Sequence, residues 1–253
     1  MKKILSISAL ALAISTPAAL SADNHEEKAE RYVYATYFYC KTDMQEKADE
    51  LVKKNNVPVY DAAVADGTIK GWGWMSHHTG GKWRRLQYHV SDSVGGLLKA
   101  QETLGKRMDE AMGGADDGFS KICGAHEDYI WKSESGSGMA ADRASASISV
   151  YQICKINKEE RADEIVEKVF APIYDKAVAD GKIKSWGWSS HVGGGNYRRL
   201  STMTADSYDA LLKARGEILE AIYGDGDNAE ATEFSEICGS HSDYLWDIVH
   251  ETR

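Results

Sequence analysis

Hydrophobic and polar positions alternate along this chain in two different periods, and the whole alternation then recurs. The run "YVYATYFYC" (32–40) is aromatic and β-branched and predicts a strand, as does "ISVYQIC" (148–154). After the first run, Met44, Ala48, Leu51 and Val52 stand at helical spacing. Pro58 predicts an interruption of that helix, and a shorter one, "VYDAAVADG", is expected to end at Gly67 as a C-terminal cap. "GWGWMSHHTGGKWRRL" (71–86) predicts a hairpin turning at Gly80-Gly81. A second helix is expected from about Asp92 to Met112, then an acidic glycine-containing loop, then a last strand through Tyr129 to Trp131.

The recurrence is a duplication at an offset of 114 residues, without a gap from Cys40/Cys154 to Leu98/Leu212. Pro58 falls on Pro172, Trp72 on Trp186, Trp74 on Trp188, His77 on His191, and Arg84-Arg85 on Arg198-Arg199. One inserted residue later, "CGAHEDYIW" (123–131) meets "CGSHSDYLW" (238–246). The predicted organisation is a first repeat at 32–132, a flexible linker at 133–147 and a second repeat at 148–253.

Each repeat reads strand, helix, strand, strand, helix, strand, the ferredoxin-like unit. Such a unit carries helices on one face of its sheet only, so its other face needs cover, and two copies on one chain supply it by packing sheet against sheet. The predicted class is therefore α+β, with two tandem ferredoxin-like repeats joined as an intrachain barrel. In this element order the chain resembles the dimeric α+β barrel superfamily, which includes antibiotic-biosynthesis monooxygenase-like and NIPSNAP-like proteins, in a fused tandem form. That resemblance implies a range of roles, among them cofactor-independent oxygenases and haem proteins, and no family's catalytic motif matches here residue by residue.

The start of the chain has a different character. Lys2 and Lys3 precede an apolar run from Ile4 to Ile14 and then small residues to Ala22, the layout of a cleavable secretory signal at 1–22 followed by a tail at 23–31. Periplasmic or secreted localisation follows, with no membrane attachment after cleavage, since no later apolar run approaches the roughly 20 residues of a bilayer span. The chain carries 30 basic and 39 acidic residues for a net −9, and loss of Lys2 and Lys3 with the leader takes it to −11. An acidic body of this kind argues against nucleic acid as a partner.

In the ferredoxin-like order the first strand lies antiparallel to the last, so the end of one meets the beginning of the other. Of the three pairings open to four cysteines, this arrangement favours Cys40–Cys123 and Cys154–Cys238, against cross-repeat pairing or free thiols.

Setting Cys40 opposite Cys123 also fixes a register, and alternation then sorts the side chains. Tyr34, Thr36, Phe38, Tyr129 and Trp131 share the more apolar face, expected beneath the helices. Ala35, Tyr37, His126 and Asp128 share the other, matched in the second copy by Ser149, Tyr151, His241 and Asp243. A two-residue hairpin turn sets Trp72 opposite His89, Trp74 opposite Gln87 and Ser76 opposite Arg85. The hairpin's other face holds Gly71, Gly73, Met75, His77, Arg84, Leu86 and Tyr88, where glycines would admit a helix.

Placing the polar-aromatic faces inward predicts a ligand-binding wall of Tyr37, Trp72, Trp74, Ser76 and Arg85, with Tyr151, Trp186, Trp188, Ser190 and Arg199 as the second set. Indole faces would stack on a planar ligand, and arginine would grip a carboxylate or enolate. His126 with Asp128, and His241 with Asp243, would serve as carboxylate-oriented general bases if the protein is an enzyme. The plainer reading makes the tryptophans sheet anchors, the arginines interface residues and each His-x-Asp a structural pair.

Other chemistries lack their residues. Metal binding needs three or four convergent ligands, and each half offers at best His126, Asp128 and His89. "DGDNAEATE" (225–233) fails as a calcium loop because its sixth position is Glu230. No motif predicts a cofactor, and noncovalent haem stays open without support. The preferred reading is an exported protein binding a small aromatic or anionic molecule, with further homo-oligomerisation of the fused pair left open. The alternatives are a cofactor-independent oxygenase or isomerase, and a structural or assembly role with a filled interior.

Overall fold

The computed structural model describes residues 30–138, 142–224 and 226–253. The leader read at 1–22 and most of the tail at 23–31 lie outside the described residues. Eight strands, β1 (Tyr32–Tyr39), β2 (Gly71–Thr79), β3 (Arg85–Ser91), β4 (Ala125–Gly136), β5 (Ala146–Ile153), β6 (Ser185–Gly194), β7 (Arg199–Ala205) and β8 (Ser240–Thr252), close into one barrel in the order β1-β3-β2-β8-β5-β7-β6-β4. Each half supplies a four-stranded sheet in ferredoxin-like order, and the seams between halves are β2–β8 and β4–β6. All eight pairings are antiparallel. Strands four places apart in the ring, such as β1 and β5, therefore run the same way, and the pseudo-twofold axis relating the halves coincides with the barrel axis. Of the segment read as a linker, residues 133–136 instead extend β4 along β6, and residues 146–147 open β5.

Helices α1 (Gln45–Leu51), α2 (Val57–Ala65), α3 (Val94–Met112) and α4 (Phe119–Ile122) belong to the first half, and α5 (Glu159–Ile165), α6 (Ala171–Ala179), α7 (Tyr208–Tyr223) and α8 (Ala229–Ile237) to the second. Pro58 does not break its helix. A π-type turn at Val52–Asn56, in which the Val57 N–H reaches back to the Val52 carbonyl, widens the helix just before the proline and carries α1 into α2. Pro172 is accommodated in the same way after Val166–Phe170. Helix α3 starts where Ser93 accepts from the Gly96 N–H and stops at Gly113, whose φ of 60° suits a residue without Cβ.

Both disulfides form as the strand order predicts, Cys40–Cys123 and Cys154–Cys238. The register they implied is off by one. The β1–β4 ladder pairs Phe38 with His126 and Tyr37 with Glu127, and the cysteines sit just beyond its end. Between bridge and ladder lies Gly124, where the chain bends so tightly out of α4 that a Cβ would fall 2.4 Å from the Ser120 carbonyl oxygen. The second half repeats the bend at Gly239 and the offset, with Ile153 opposite Ser240. A slip of one residue moves every side chain of one strand to the opposite face. Tyr129 and Trp131 accordingly join Tyr37 and Tyr151 inside the barrel, in one cluster with Tyr244 and Trp246. His126 packs against the outward-facing Phe38 instead.

The hairpin register, by contrast, is the predicted one, with Trp72–His89, Trp74–Gln87 and Ser76–Arg85 paired. Its faces are reversed. Trp72 and Trp74 lie outside the barrel, 0% and 1% exposed, packed with Val52, Tyr60, Ala63 and Leu104 beneath the helices. The glycine face points inward, where Gly73 receives not a helix but the Tyr88 ring, whose Cε1 would stand 2.5 Å from a Cβ. The tip is wider than a two-residue turn: beyond the His77 N–H to Arg84 carbonyl bond the chain opens out, and Trp83 turns into the barrel core.

Candidate functional site

The repeated motif that stood out in the sequence is a structural latch. Trp74 Nε1 donates to Asp49 Oδ1 at 2.8 Å, and Trp72 Nε1 donates to Asp61 Oδ1 at 2.8 Å. Arg85 donates from Nε and Nη2 to the two Asp49 oxygens, each at 2.6 Å, and from Nη1 to Gln45 Oε1 and the Arg84 carbonyl at 2.7 Å. In the second half Trp188 and Arg199 hold Asp163, and Trp186 holds Asp175. Arg199 Nη1 adds Glu159 at 3.1 Å. The indole N–H groups and the arginine forks thus bind carboxylates of α1–α2 and α5–α6 to the outside of the sheet, and neither arginine has a fork left for a ligand. Asp49, Asp61 and their counterparts were not singled out from sequence, although their spacing recurs at the same 114-residue offset.

The glycines at the hairpin tips have a second task. A Cβ on Gly81 would lie 2.2 Å from the Tyr244 hydroxyl, and one on Gly195 equally close to that of Tyr129. Each tip therefore closes over a tyrosine of the opposite half, and the Lys82 N–H donates to Tyr244 Oη at 3.0 Å.

The two His-x-Asp pairs form but do not enter the barrel. His126 Nε2 lies 3.2 Å from Asp128, and His241 Nδ1 lies 2.6 Å from Asp243, each histidine side chain 47% exposed on the outer surface. Asp243 also accepts from Arg215 Nη2 at 3.0 Å. Ser76 and Ser190 share the outer face with the tryptophans, and Ser190 donates to Glu134 at 2.5 Å. Of the predicted wall, only Tyr37 and Tyr151 face the interior.

The interior divides into two parts. One end is plugged by aromatic rings: Trp83 stacks on Tyr37 (4.2 Å between centroids) and on Tyr244 (4.9 Å), and Tyr129 stacks on Trp131 (5.0 Å). His77 and His191 abut this plug edge-on, each beside an arginine of the RR pair. Burial first, then the neighbouring guanidinium, lowers the basicity of His191; burial lowers that of His77.

The other end is a cavity of about 610 Å³. Its two walls occupy equivalent positions but differ in chemistry. The first half contributes Val33, Ala35, Met75, Tyr88 and Val90. At the same five positions the second half contributes Ser147, Ser149, Ser189, Thr202 and Thr204. The floor is Tyr37, Tyr151 and Trp131 against the plug. The charged residues of the lining are largely paired: Glu30 with Lys132 at 2.9 Å, and Glu251 with Arg253 at 2.6 Å and the Tyr88 hydroxyl at 2.5 Å. Apart from these residues and from Arg31 and Glu134, the lining is uncharged, with one largely apolar side and one largely of hydroxyls.

The donor set does not fit haem. Among the described residues no histidine lines the cavity, all four cysteines are in disulfides, and burial keeps the Tyr37 and Tyr151 phenols protonated, far from the phenolate that would bind iron. Among the described residues no group of three or more His, Cys, Asp or Glu is placed to hold a metal ion, and no helix is long and apolar enough to cross a membrane.

No family model and no curated protein matches this chain. Solved structures do match in shape. A putative monooxygenase from Lactobacillus acidophilus aligns over 88% of this chain and 95% of its own, with a TM-score of 0.59 and 10% identity. A mutant chlorite dismutase from Candidatus Nitrospira defluvii aligns over 87% and 91%, with 0.54 and 9% identity. An anthrone oxidase-like protein aligns over 89% and 94%, with 0.52 and 14% identity. Likeness at these identities is likeness of fold, and the fold this chain shares is the closed α+β barrel.

Proposed function

We propose that this chain is an exported binding protein that takes a small, uncharged, partly apolar molecule into the open end of its barrel. The observation that carries this reading is the cavity: about 610 Å³, sealed at one end by aromatic rings, with an apolar wall facing a hydroxyl wall. The anionic ligand anticipated from the arginines loses its support, because Arg85 and Arg199 are consumed by helix carboxylates. Export rests on the leader pattern at 1–22 and on two disulfides, which persist in oxidising compartments. The 114-residue duplication and the seam strands support descent from a two-chain barrel by fusion.

The test is mass spectrometry of a denatured extract of the natively purified protein. A neutral small molecule at near one equivalent is expected, and it should be lost when Thr202→Trp fills the cavity. An extract with no such molecule, or one retained equally by the variant, would contradict the reading.

A cofactor-independent oxygenase using the same cavity is the second reading, supported by neighbours described as a putative monooxygenase and an anthrone oxidase-like protein. It would draw on the floor tyrosines rather than on His126 or His241, which lie outside the barrel. Ligand-dependent oxygen uptake by the purified protein separates it from binding alone. A purely structural role predicts a filled interior, which the cavity volume counts against.

A further inference from the structure

The floor of the cavity is built by a symmetric pair. Tyr37 and Tyr151 occupy the same position in the two halves, are 1% and 0% exposed, and meet edge to face with centroids 5.4 Å apart. Because the pseudo-twofold runs along the barrel axis, they reach that axis at the same height from opposite walls. Both rings edge the cavity but are closed off from it as they stand, so a molecule entering the open end reaches the two hydroxyls by turning the rings slightly apart.

Hydrogen bonding at this floor is incomplete. Tyr37 Oη accepts from Trp131 Nε1 at 3.3 Å, but among the described residues no hydrogen bond has Tyr37 Oη as its donor. Tyr151 Oη has no partner at hydrogen-bonding geometry, although the hydroxyls of Tyr37 and Ser149 are beside it, and neither does Nε1 of Trp246, the counterpart of Trp131. Buried polar groups without partners are rare and costly, and each one in a folded chain calls for an explanation.

We propose that Tyr37 and Tyr151 form a two-donor clamp for a single carbonyl oxygen of the ligand, which enters oxygen first. This rests on the binding reading above. A carbonyl oxygen has two lone pairs and no proton, so it accepts from both phenols and leaves nothing unpaired. An ammonium would bury a charge with no carboxylate at the floor, and a carboxylate would bury one with no cation there. Burial keeps both phenols in the protonated, donating form. With its proton given to the ligand, Tyr37 keeps the bond it accepts from Trp131. The apolar wall then covers one side of the ligand body and the hydroxyl wall the other.

The experiment uses two neutral probes: 6-propionyl-2-(dimethylamino)naphthalene, a ketone whose carbonyl stretch reports hydrogen bonding, and 2-propylnaphthalene, which has no carbonyl. The bound ketone should show a stretch well below its value in an aprotic solvent. Tyr37→Phe and Tyr151→Phe should each weaken ketone binding about tenfold and move the stretch back up, while propylnaphthalene binds all variants alike. If both probes bind but the ketone's stretch is at its aprotic value in the unmodified protein, the clamp is wrong and the binding reading stands; that measurement needs no variant to fold. If neither probe binds, the cavity reading fails and the clamp with it.

Discussion

Arg85 grips Asp49 with two sides of its guanidinium, Nε to Oδ1 and Nη2 to Oδ2, both at 2.6 Å, with the arginine side chain only 5% exposed. Because Trp74 also donates to Asp49, one helix carboxylate receives three protons from the sheet. Removing one member of a buried pair strands the other, a loss of about 3 kcal/mol. Asp49→Asn and Asp163→Asn are each expected to lower the unfolding free energy read from urea denaturation by that order while leaving cavity binding intact. A loss below about 0.5 kcal/mol, the size of an exposed pair, would mean that the latch is not structural.

The two disulfides close loops of 83 and 84 residues between equivalent ends of the two halves. In the chain-entropy account each is worth about 4 kcal/mol. The Cys40→Ser, Cys123→Ser double variant should therefore unfold at markedly lower urea than the native chain, and its second-half counterpart should lose a similar amount. Peptide mapping without reductant checks the connectivity, and a Cys40–Cys154 peptide would overturn it.

His89 gives the fold an acid sensitivity that the sequence repeat makes testable. The residue is 2% exposed, its Nε2 has no partner, and burial lowers its pKa from 6.5 to about 4. The unfolded chain takes up the proton near pH 6.5 and the folded chain only near pH 4. Stability is thus fully present above 6.5 and drains away as the pH falls toward 4, by about 2 kcal/mol between pH 7.5 and pH 5. The second half has Met203 at the same position, 3% exposed. His89→Met should flatten the acid limb of a stability profile; His77 and His191, shifted in the same direction, keep some slope. An unchanged profile would show that His89 takes up its proton alike in the folded and unfolded chains.

The architecture was legible because the duplication repeated each element, and an element seen twice at one spacing is hard to misread. Strand order, both disulfides and the hairpin register all followed from it. What failed was the choice of faces, and it failed at one residue. Gly124 and Gly239 let the chain bend between cysteine and ladder, so the bridge reports that two strand ends meet, not which residues are opposite. From that slip Tyr129 and Trp131 were assigned outside, and His126 and Asp128 inside. The tryptophans misled for another reason. A tryptophan on a sheet is buried on either face, and only its N–H partner separates the two; that partner lay on helices 11 and 25 residues upstream, as Asp61 and Asp49. The cavity walls had a signal that went unused: at Val33/Ser147, Ala35/Ser149, Tyr88/Thr202 and Val90/Thr204 the repeats differ in polarity at alternate positions, where a shared core would have held them alike.

The same divergence makes two equivalent glycines unequal. A Cβ at Gly73 would stand 2.5 Å from Cε1 and 2.7 Å from Cζ of Tyr88, a ring held in place by the 2.5 Å bond from its hydroxyl to Glu251. At Gly187 the nearest atom would be Thr202 Oγ1 at 2.9 Å, the tip of a short side chain that can turn aside. Gly73→Ala must push the Tyr88 ring into the cavity, at a cost of about 2 kcal/mol in overpacking. Gly187→Ala meets little resistance, and loss of glycine's backbone freedom in the unfolded chain offsets it by about 0.5 kcal/mol. Thermal midpoints should therefore fall for Gly73→Ala and stay within error for Gly187→Ala, and only the first should weaken binding of a neutral naphthyl probe. Equal effects from the two substitutions would place Tyr88 away from the cavity wall and remove the asymmetry on which the ligand's orientation depends.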